Sequence, residues 1–316
     1  MFIRPLVFFT LLLCACGSRA GDAAVAMPDR WSADAARQVL VDGGNAVDAA
    51  VTASFVLAVT YPIAGNIGGG GFMTSYMDGE AAFLDFRERA PGKAHRDMYL
   101  DEGGDFQPRW STIGGKASGV PGTVRGMYAA PQRYGSLPWH RLLQPSIELA
   151  RSGFIVPRGM ADAVAQKIAE VAGETNFAQY FGSAREGQRF RQPQLASTLD
   201  LIARDPELFY TGLPARQLVA QMQASGGLLS LEDLAAYQAV WRKPIRESWR
   251  DFEVLSSPPP SSGGIVLVQL LRMRDYAAGA FARPWHNSPG YVHLLAELAK
   301  RSFADRAEYM GCLLYT

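Results

Sequence analysis

Two glycine-bearing blocks bracket an apolar run near the start of this chain, and together they constrain its fold more than any other feature. The first is Gly43-Gly44-Asn45-Ala46-Val47-Asp48-Ala49-Ala50-Val51, and the second is Gly65-Asn66-Ile67-Gly68-Gly69-Gly70-Gly71-Phe72-Met73. Upstream of them Ala35, Ala36, Val39 and Leu40 recur at helical spacing, and Gly43-Gly44 is a helix stop. Asn45 supplies the cap of a second helix. From Ala46 to Val59 the residues are mainly Ala and Val with a single charge, Asp48, so this helix belongs in an interior rather than on a surface. It falls short of the roughly 20 residues of a membrane span, and Pro62 bars its continuation. The four glycines from Gly68 then remove every Cβ from a stretch of backbone. That permits positive φ angles and close approach of another segment or a ligand; a plain flexible loop is the alternative. A nucleotide-phosphate loop does not fit, because the run follows a helix and no Gly-Lys-Ser/Thr closes it.

Downstream, Phe72 to Met77 and Ala81 to Phe86 read as two strands joined at Asp78-Gly79, a hairpin signal. Gly119-Val120-Pro121-Gly122-Thr123-Val124 opens a helix with Pro121 near its first turn. Leu137-Pro138-Trp139 opens another. Helical spacing returns over Pro157 to Val171, Gln194 to Arg204 and Pro214 to Ala224, and Ser230 caps a short helix. Pro244 to Trp249 and Phe252 to Leu255 are expected strands about Arg250-Asp251, and Ser288 to Arg306 is a long amphipathic helix. Helices and strands mix without the alternation of a doubly wound parallel sheet, which leaves an α+β or a layered α/β sandwich.

Composition narrows the function classes. With 316 residues the chain holds one large domain or two small ones, and 48% hydrophobic residues are ample for a core. A net charge of +1 without basic runs gives no electrostatic case for nucleic acid. The histidines, His95, His140, His286 and His293, are far apart and show no metal-binding spacing, so no metal site is expected, and no pattern met in the chain implies a cofactor. No pair of carboxylates is singled out for glycoside chemistry.

The N-terminus reads as a targeting segment over residues 1–20. Arg4 supplies its positive region, Leu6 to Ala15 is apolar, and Leu13-Cys14-Ala15-Cys16-Gly17 matches a bacterial lipobox with Cys16 as the lipidated residue. Ordinary secretory cleavage after Ala20 is the alternative. Either route exports the protein. Gly17 after the cysteine suits outer-membrane sorting in a Gram-negative cell, so the expected location is periplasmic with a lipid anchor to the membrane. Of three cysteines, two lie in this segment and the third is Cys312, so the body between them has no intramolecular disulfide.

Two local patterns carry chemistry. In Arg87-Glu88-x-Ala90-Pro91, an arginine at a strand end is able to meet a carboxylate with two parallel hydrogen bonds; a structural salt bridge to Glu88 or Asp85 is the alternative. In Ser257-Pro258-Pro259-Pro260-Ser261-Ser262-Gly263-Gly264, Ser261 or Ser262 is placed to cap a helix, and backbone N–H groups at such a start are able to bind an oxyanion. No Gly-x-Ser-x-Gly elbow makes either serine a nucleophile.

These patterns, in this order, resemble the large subunit of the γ-glutamyltransferase (γ-glutamyltranspeptidase) family. Phe209-Tyr210-Thr211-Gly212, Gly226-Gly227, Asp233-Leu234-Ala235-Ala236-Tyr237, Gly135-x-Leu137-Pro138-Trp139 and Phe303-Ala304-Asp305-Arg306 extend the resemblance over residues 25–311. The resemblance implies the large-subunit part of a four-layer αββα N-terminal nucleophile hydrolase. It implies γ-glutamyl transfer or hydrolysis on glutathione and related amides, through an acyl ester on a threonine, with water, an amino acid or a peptide as acceptor. It also implies that Arg87 binds the α-carboxylate of the γ-glutamyl group. Cephalosporin and glutaryl acylases share many of these motifs, and Arg87 as an α-carboxylate ligand weighs against them. A non-catalytic envelope lipoprotein that binds γ-glutamyl peptides is a further alternative.

In the resembled family the threonine nucleophile begins a second, small subunit released by self-cleavage, and most of the pocket comes from that subunit. No residue of this chain is therefore assigned as catalytic. Cys312-Leu313-Leu314-Tyr315-Thr316 resembles nothing in the family and reads as an anomalous tail after a truncated domain. Without its partner subunit such a domain is expected to leave sheet strands unpaired.

Overall fold

The computed structural model describes residues 23–310, so the lipobox with Cys16 and the tail from Cys312 lie outside the described residues. Helix α1 (Arg30–Val41) starts where the Asp29 carboxylate accepts the Ser32 N–H at 2.8 Å, and it stops before Gly43, whose φ of +90° no β-carbon-bearing residue adopts cheaply. Helix α2 (Ala46–Thr60) follows at once. Asn45 Oδ1 accepts from the Val47 and Asp48 N–H groups, and Asp48 Oδ2 returns the bond to Asn45 N–H at 3.0 Å. The same Asp48 oxygen accepts from Ser136 N–H at 2.9 Å. The lone charge of α2 is therefore fully buried because it closes the cap of its own helix and anchors a distant loop.

A hairpin comes next. Strands β1 (Phe72–Met77) and β2 (Glu80–Asp85) pair antiparallel from Phe72↔Asp85 to Met77↔Glu80, about Asp78 and Gly79, both at positive φ. After a long irregular stretch come helices α3 (Thr123–Tyr134) and α4 (Trp139–Ser152). A small excursion holds β3 (Phe154–Ile155), α5 (Arg158–Glu170), α6 (Phe177–Phe181) and β4 (Arg189–Phe190), with β3 and β4 paired. Four helices follow, α7 (Pro193–Arg204), α8 (Glu207–Thr211), α9 (Leu213–Ala224) and α10 (Leu231–Ala236). Strand β5 (Val240–Arg242) adds to β2, giving the sheet order β1-β2-β5. Strands β6 (Ile245–Trp249) and β7 (Phe252–Ser256) form a separate hairpin, and α11 (Gly263–Tyr276), α12 (Ala278–Phe281) and α13 (Pro289–Tyr309) complete the described chain. The arrangement is mixed α/β without strict alternation.

The core lies between α2, α3, α4 and α7 and one face of the sheet. Phe55, Leu142, Leu143, Leu199 and Ile202 are fully buried there, each burial being worth about 1.5–3 kcal/mol. Leu84 joins this core from β2, with Met73 and Trp241 beside it in register on β1 and β5. The opposite sheet face carries Phe72, Thr74, Tyr76, Phe83, Asp85 and Arg242, by strand alternation. On it Thr74 and Tyr76 are exposed, Tyr76 at 61%. One sheet face is thus covered by helices, while the other stays partly open.

The structure makes three expectations more specific. The glycines Gly68 to Gly71 adopt no positive φ; the missing Cβ atoms of Gly69, Gly70 and Gly71 serve close packing. Pro121 lies beside the first turn, directly before the N-cap Gly122 of α3, and the α3 N-terminus is capped by a backbone carbonyl, with Gly122 and Thr123 N–H donating to Gly69 O at 2.7 and 3.0 Å. Ser262 stands at the N-cap of α11 without a capping hydrogen bond; it is Ser261 Oγ that accepts from Gly263 N–H, at 3.2 Å.

Candidate active-site cleft

Arg87 leaves the end of β2 on the open-face side, with its guanidinium 6.0 Å from the Phe72 ring centroid. Its main chain is clamped at both its N–H and its carbonyl. Arg87 N–H donates to Asp85 Oδ1 at 3.1 Å. The other oxygen of that carboxylate accepts from Arg242 Nε at 2.9 Å, on the neighbouring strand β5. Tyr237 Oη donates to Arg87 O at 2.8 Å.

Tyr237 is in turn held by Tyr210. The two rings stack with centroids 6.2 Å apart and planes 7° from parallel. Tyr210 Oη donates to Pro121 O at 3.1 Å and accepts from Arg125 N–H at 3.0 Å, which ties the stack to the start of α3. Burial raises the phenol pKa of both tyrosines, and for Tyr237 the negative charge of Asp85 adds to the rise. Both therefore remain neutral and keep their donor protons at physiological pH.

The glycine run packs behind the same segment. A Cβ on Gly70 would lie 2.5 Å from Phe86 O and 2.7 Å from Glu88 N, closer than any side chain permits. Gly71 and Phe86 exchange backbone hydrogen bonds at 3.3 and 3.0 Å, and Arg89 and Val120 at 3.2 and 2.8 Å. The segment from Phe86 to Arg89 is thereby trapped between the glycine run and the approach to α3.

The side chain of Arg87 is much less engaged. Nη1 makes one long bond, 3.4 Å, to Pro260 O. Among the described residues the guanidinium has no ion pair: Asp85 pairs with Arg242 at 2.9 Å, and Glu88 pairs with no cation. The salt-bridge reading of this arginine is not what the fold adopts. Arg87 itself lines a cleft of about 480 Å³, together with Asn66, Glu88, Arg89, Lys116 and Ser118 among others.

The serines of the Pro-rich segment have local work. Ser257 and Ser261 hydroxyls lie 3.1 Å apart, and Ser262 Oγ accepts from Arg306 Nε at 2.9 Å. No histidine stands beside either one. What this segment offers Arg87 is the Pro260 carbonyl. Among the described residues no group of three or more His, Cys, Asp or Glu is arranged to hold a metal ion, and no helix is long and apolar enough to cross a membrane.

The residues that sequence reasoning missed are the supports: Tyr237, Tyr210 and Arg242. The first two lie in motifs noticed only for their order along the chain, and Arg242 carries no local signal at all.

The model of the family described as Gamma-glutamyltranspeptidase matches residues 32–312. This chain belongs to the gamma-glutamyltranspeptidase family. It is 49% identical to the Glutathione hydrolase proenzyme of Pseudomonas aeruginosa, over 98% of this chain and 57% of that relative. It is 39% identical to the Acylase ACY 1 proenzyme of a Pseudomonas species, over 86% of this chain and 51% of that relative. The chain thus spans little more than half the length of these relatives. Among solved structures, the gamma-glutamyltranspeptidase from Pseudomonas nitroreducens complexed with L-DON superposes with a TM-score of 0.91 at 49% identity, covering 93% of this chain and 88% of that one. The fold is that of the gamma-glutamyltranspeptidase family, an N-terminal nucleophile hydrolase fold.

Proposed function

We propose that this chain is the γ-glutamyl-recognising, large-subunit portion of a glutathione hydrolase (γ-glutamyltransferase), with residues 25–311 as that domain. Arg87 holds the α-carboxylate of the γ-glutamyl group. The observation that carries this is the contrast within one cleft-lining residue: a main chain clamped by Asp85 and Tyr237, and a guanidinium with one weak hydrogen bond and no carboxylate partner among the described residues. Such an arrangement is preorganised for a bidentate anion.

In the reaction as the family performs it, a threonine in the half that this chain does not span attacks the γ-carbonyl, its own α-amino group serves as base, and the acyl ester passes to water, an amino acid or a peptide. This chain's part is to orient the acyl group by its carboxylate. The open sheet face with Thr74 and Tyr76, which runs up to Arg87, is where a second subunit would complete the sandwich.

The similarity to an acylase supports a second reading, a glutaryl-type amide as substrate. A glutaryl group also ends in a carboxylate, so Arg87 alone does not separate the two. Glu88 does: it lines the same cleft, and only the γ-glutamyl group carries an ammonium to meet it. Titrating the chain with γ-glutamyl anilide and glutaryl anilide tests this. The γ-glutamyl compound should bind more tightly, and Glu88→Gln should shrink the difference. Equal binding, indifferent to Glu88, would favour the acylase reading. We further propose export by residues 1–20, with Cys16 as the lipid-bearing residue of a periplasmic protein.

A further inference from the structure

We propose that Lys116, seconded by Arg89, forms a second anion subsite in the Arg87 cleft, which takes the C-terminal carboxylate of the peptide on the far side of the scissile γ-glutamyl bond. The inference rests on the γ-glutamyl reading above and adds the substrate's other end to it. Charge bookkeeping leads there. The cleft is lined by three cations, Arg87, Arg89 and Lys116, and by one carboxylate among the groups that line it, Glu88. A γ-glutamyl headgroup is a zwitterion; its carboxylate and ammonium use Arg87 and Glu88. On this chain's side of the site two cations are left over, and neither forms an ion pair among the described residues.

Both are oriented without being neutralised. Lys116 Nζ lies 3.6 Å from the centroid of the Trp110 ring, a contact that attracts the ammonium but leaves its charge and its donors available. Arg89 lies 5.4 Å over the Tyr237 ring and gives one N–H to Gln238 O at 3.2 Å, which leaves the rest of its fork in solvent. Uncompensated cations gathered in one concave site favour an anion, and a peptide such as glutathione carries a second carboxylate beyond the scissile amide. A cleft of about 480 Å³ falls within the range of pockets that enclose ligands of this size.

The test compares glutathione with glutathione amide, the same tripeptide with its C-terminal carboxylate converted to a carboxamide. Both are titrated into the full chain, and binding is followed by the amide spectrum and by the indole N–H resonance of Trp110, assigned with Trp110→Phe. Glutathione should bind about tenfold more tightly than its amide, as expected for one charge-assisted hydrogen bond, and it alone should shift Trp110 as Lys116 is drawn off the ring. Lys116→Gln should abolish the preference, while Lys116→Arg should keep most of it and also show that the turn still folds. If Lys116→Gln leaves the preference intact while Arg87→Lys weakens both ligands, the second subsite is wrong and the γ-glutamyl reading survives. If Arg87→Lys weakens neither ligand, that reading fails and the subsite fails with it.

Discussion

Arg87→Lys isolates the role of the guanidinium because the rest of the residue is held independently of it. The clamps from Asp85 and Tyr237 act on main-chain atoms, so they persist in the variant. The side chain's own contacts are one 3.4 Å bond to Pro260 O and the Phe72 ring at 6.0 Å, so the fold loses little; a change within about 0.5 kcal/mol is expected, as for most surface substitutions. Ligand binding should respond differently. An ammonium offers a point charge where the guanidinium offers a two-pronged fork. Losing one charge-assisted bond costs about 1.5–3 kcal/mol. Because Arg87 is half-buried and water reaches the cleft, the lower end applies, a weakening of about tenfold. The assay is titration of wild-type and variant chains with γ-glutamyl anilide, with thermal unfolding of both in parallel. A variant of unchanged affinity would refute the reasoning, and so would one that loses affinity only because its unfolding temperature has collapsed.

Tyr237→Phe keeps the stacked ring but leaves Arg87 O without its donor; stability should fall by about 1–3 kcal/mol, and affinity for γ-glutamyl anilide should fall while Tyr210 stays buried, measured by denaturant unfolding and titration. Tyr210 and Tyr237 have folded-state pKa values raised above the usual tyrosine value. The stability they confer is complete below about pH 10 and is lost as pH climbs above it, by up to about 1.4 kcal/mol per unit per tyrosine; unfolding curves from pH 9 to 11 should show this loss, and Tyr237→Phe should flatten it. The 316-residue chain by itself should release no anilide above an Arg87→Ala control, since among its described residues no serine or threonine hydroxyl is hydrogen-bonded to a histidine; turnover above that control would direct attention to Ser261 and Ser262. Cys16→Ser should release the exported protein from the membrane fraction and abolish labelling by a fatty-acid probe, whereas unchanged fractionation would exclude the lipid anchor.

Legibility from sequence followed locality. Helix α2 was legible because its cap, its apolar body and its stop all lie within a few residues, and the β1–β2 hairpin because Asp78-Gly79 sits at the turn. The cap of α3 was not legible because it is a carbonyl from Gly69, some fifty residues upstream, where a sequence reading looks for an adjacent side chain. The glycine run was recognised as special, but its use is close packing against Phe86 and Glu88 and not unusual dihedrals. Arg87 stood out through its motif. Its supports did not, because Tyr237 lies 150 residues and Arg242 more than 150 residues further along the chain. Strand β5, which brings Arg242 to Asp85, is three residues long, too short to show alternation.

The central claim is that Arg87 is the carboxylate-binding group of a γ-glutamyl site. The most direct measurement is a crystal structure of the chain soaked with a γ-glutamyl amide. The account predicts density for the α-carboxylate against the Arg87 guanidinium, with two nitrogens at about 2.7–2.9 Å from its oxygens and the ammonium directed toward Glu88. A ligand seated elsewhere, or one in the cleft with its carboxylate turned away from Arg87, would contradict it.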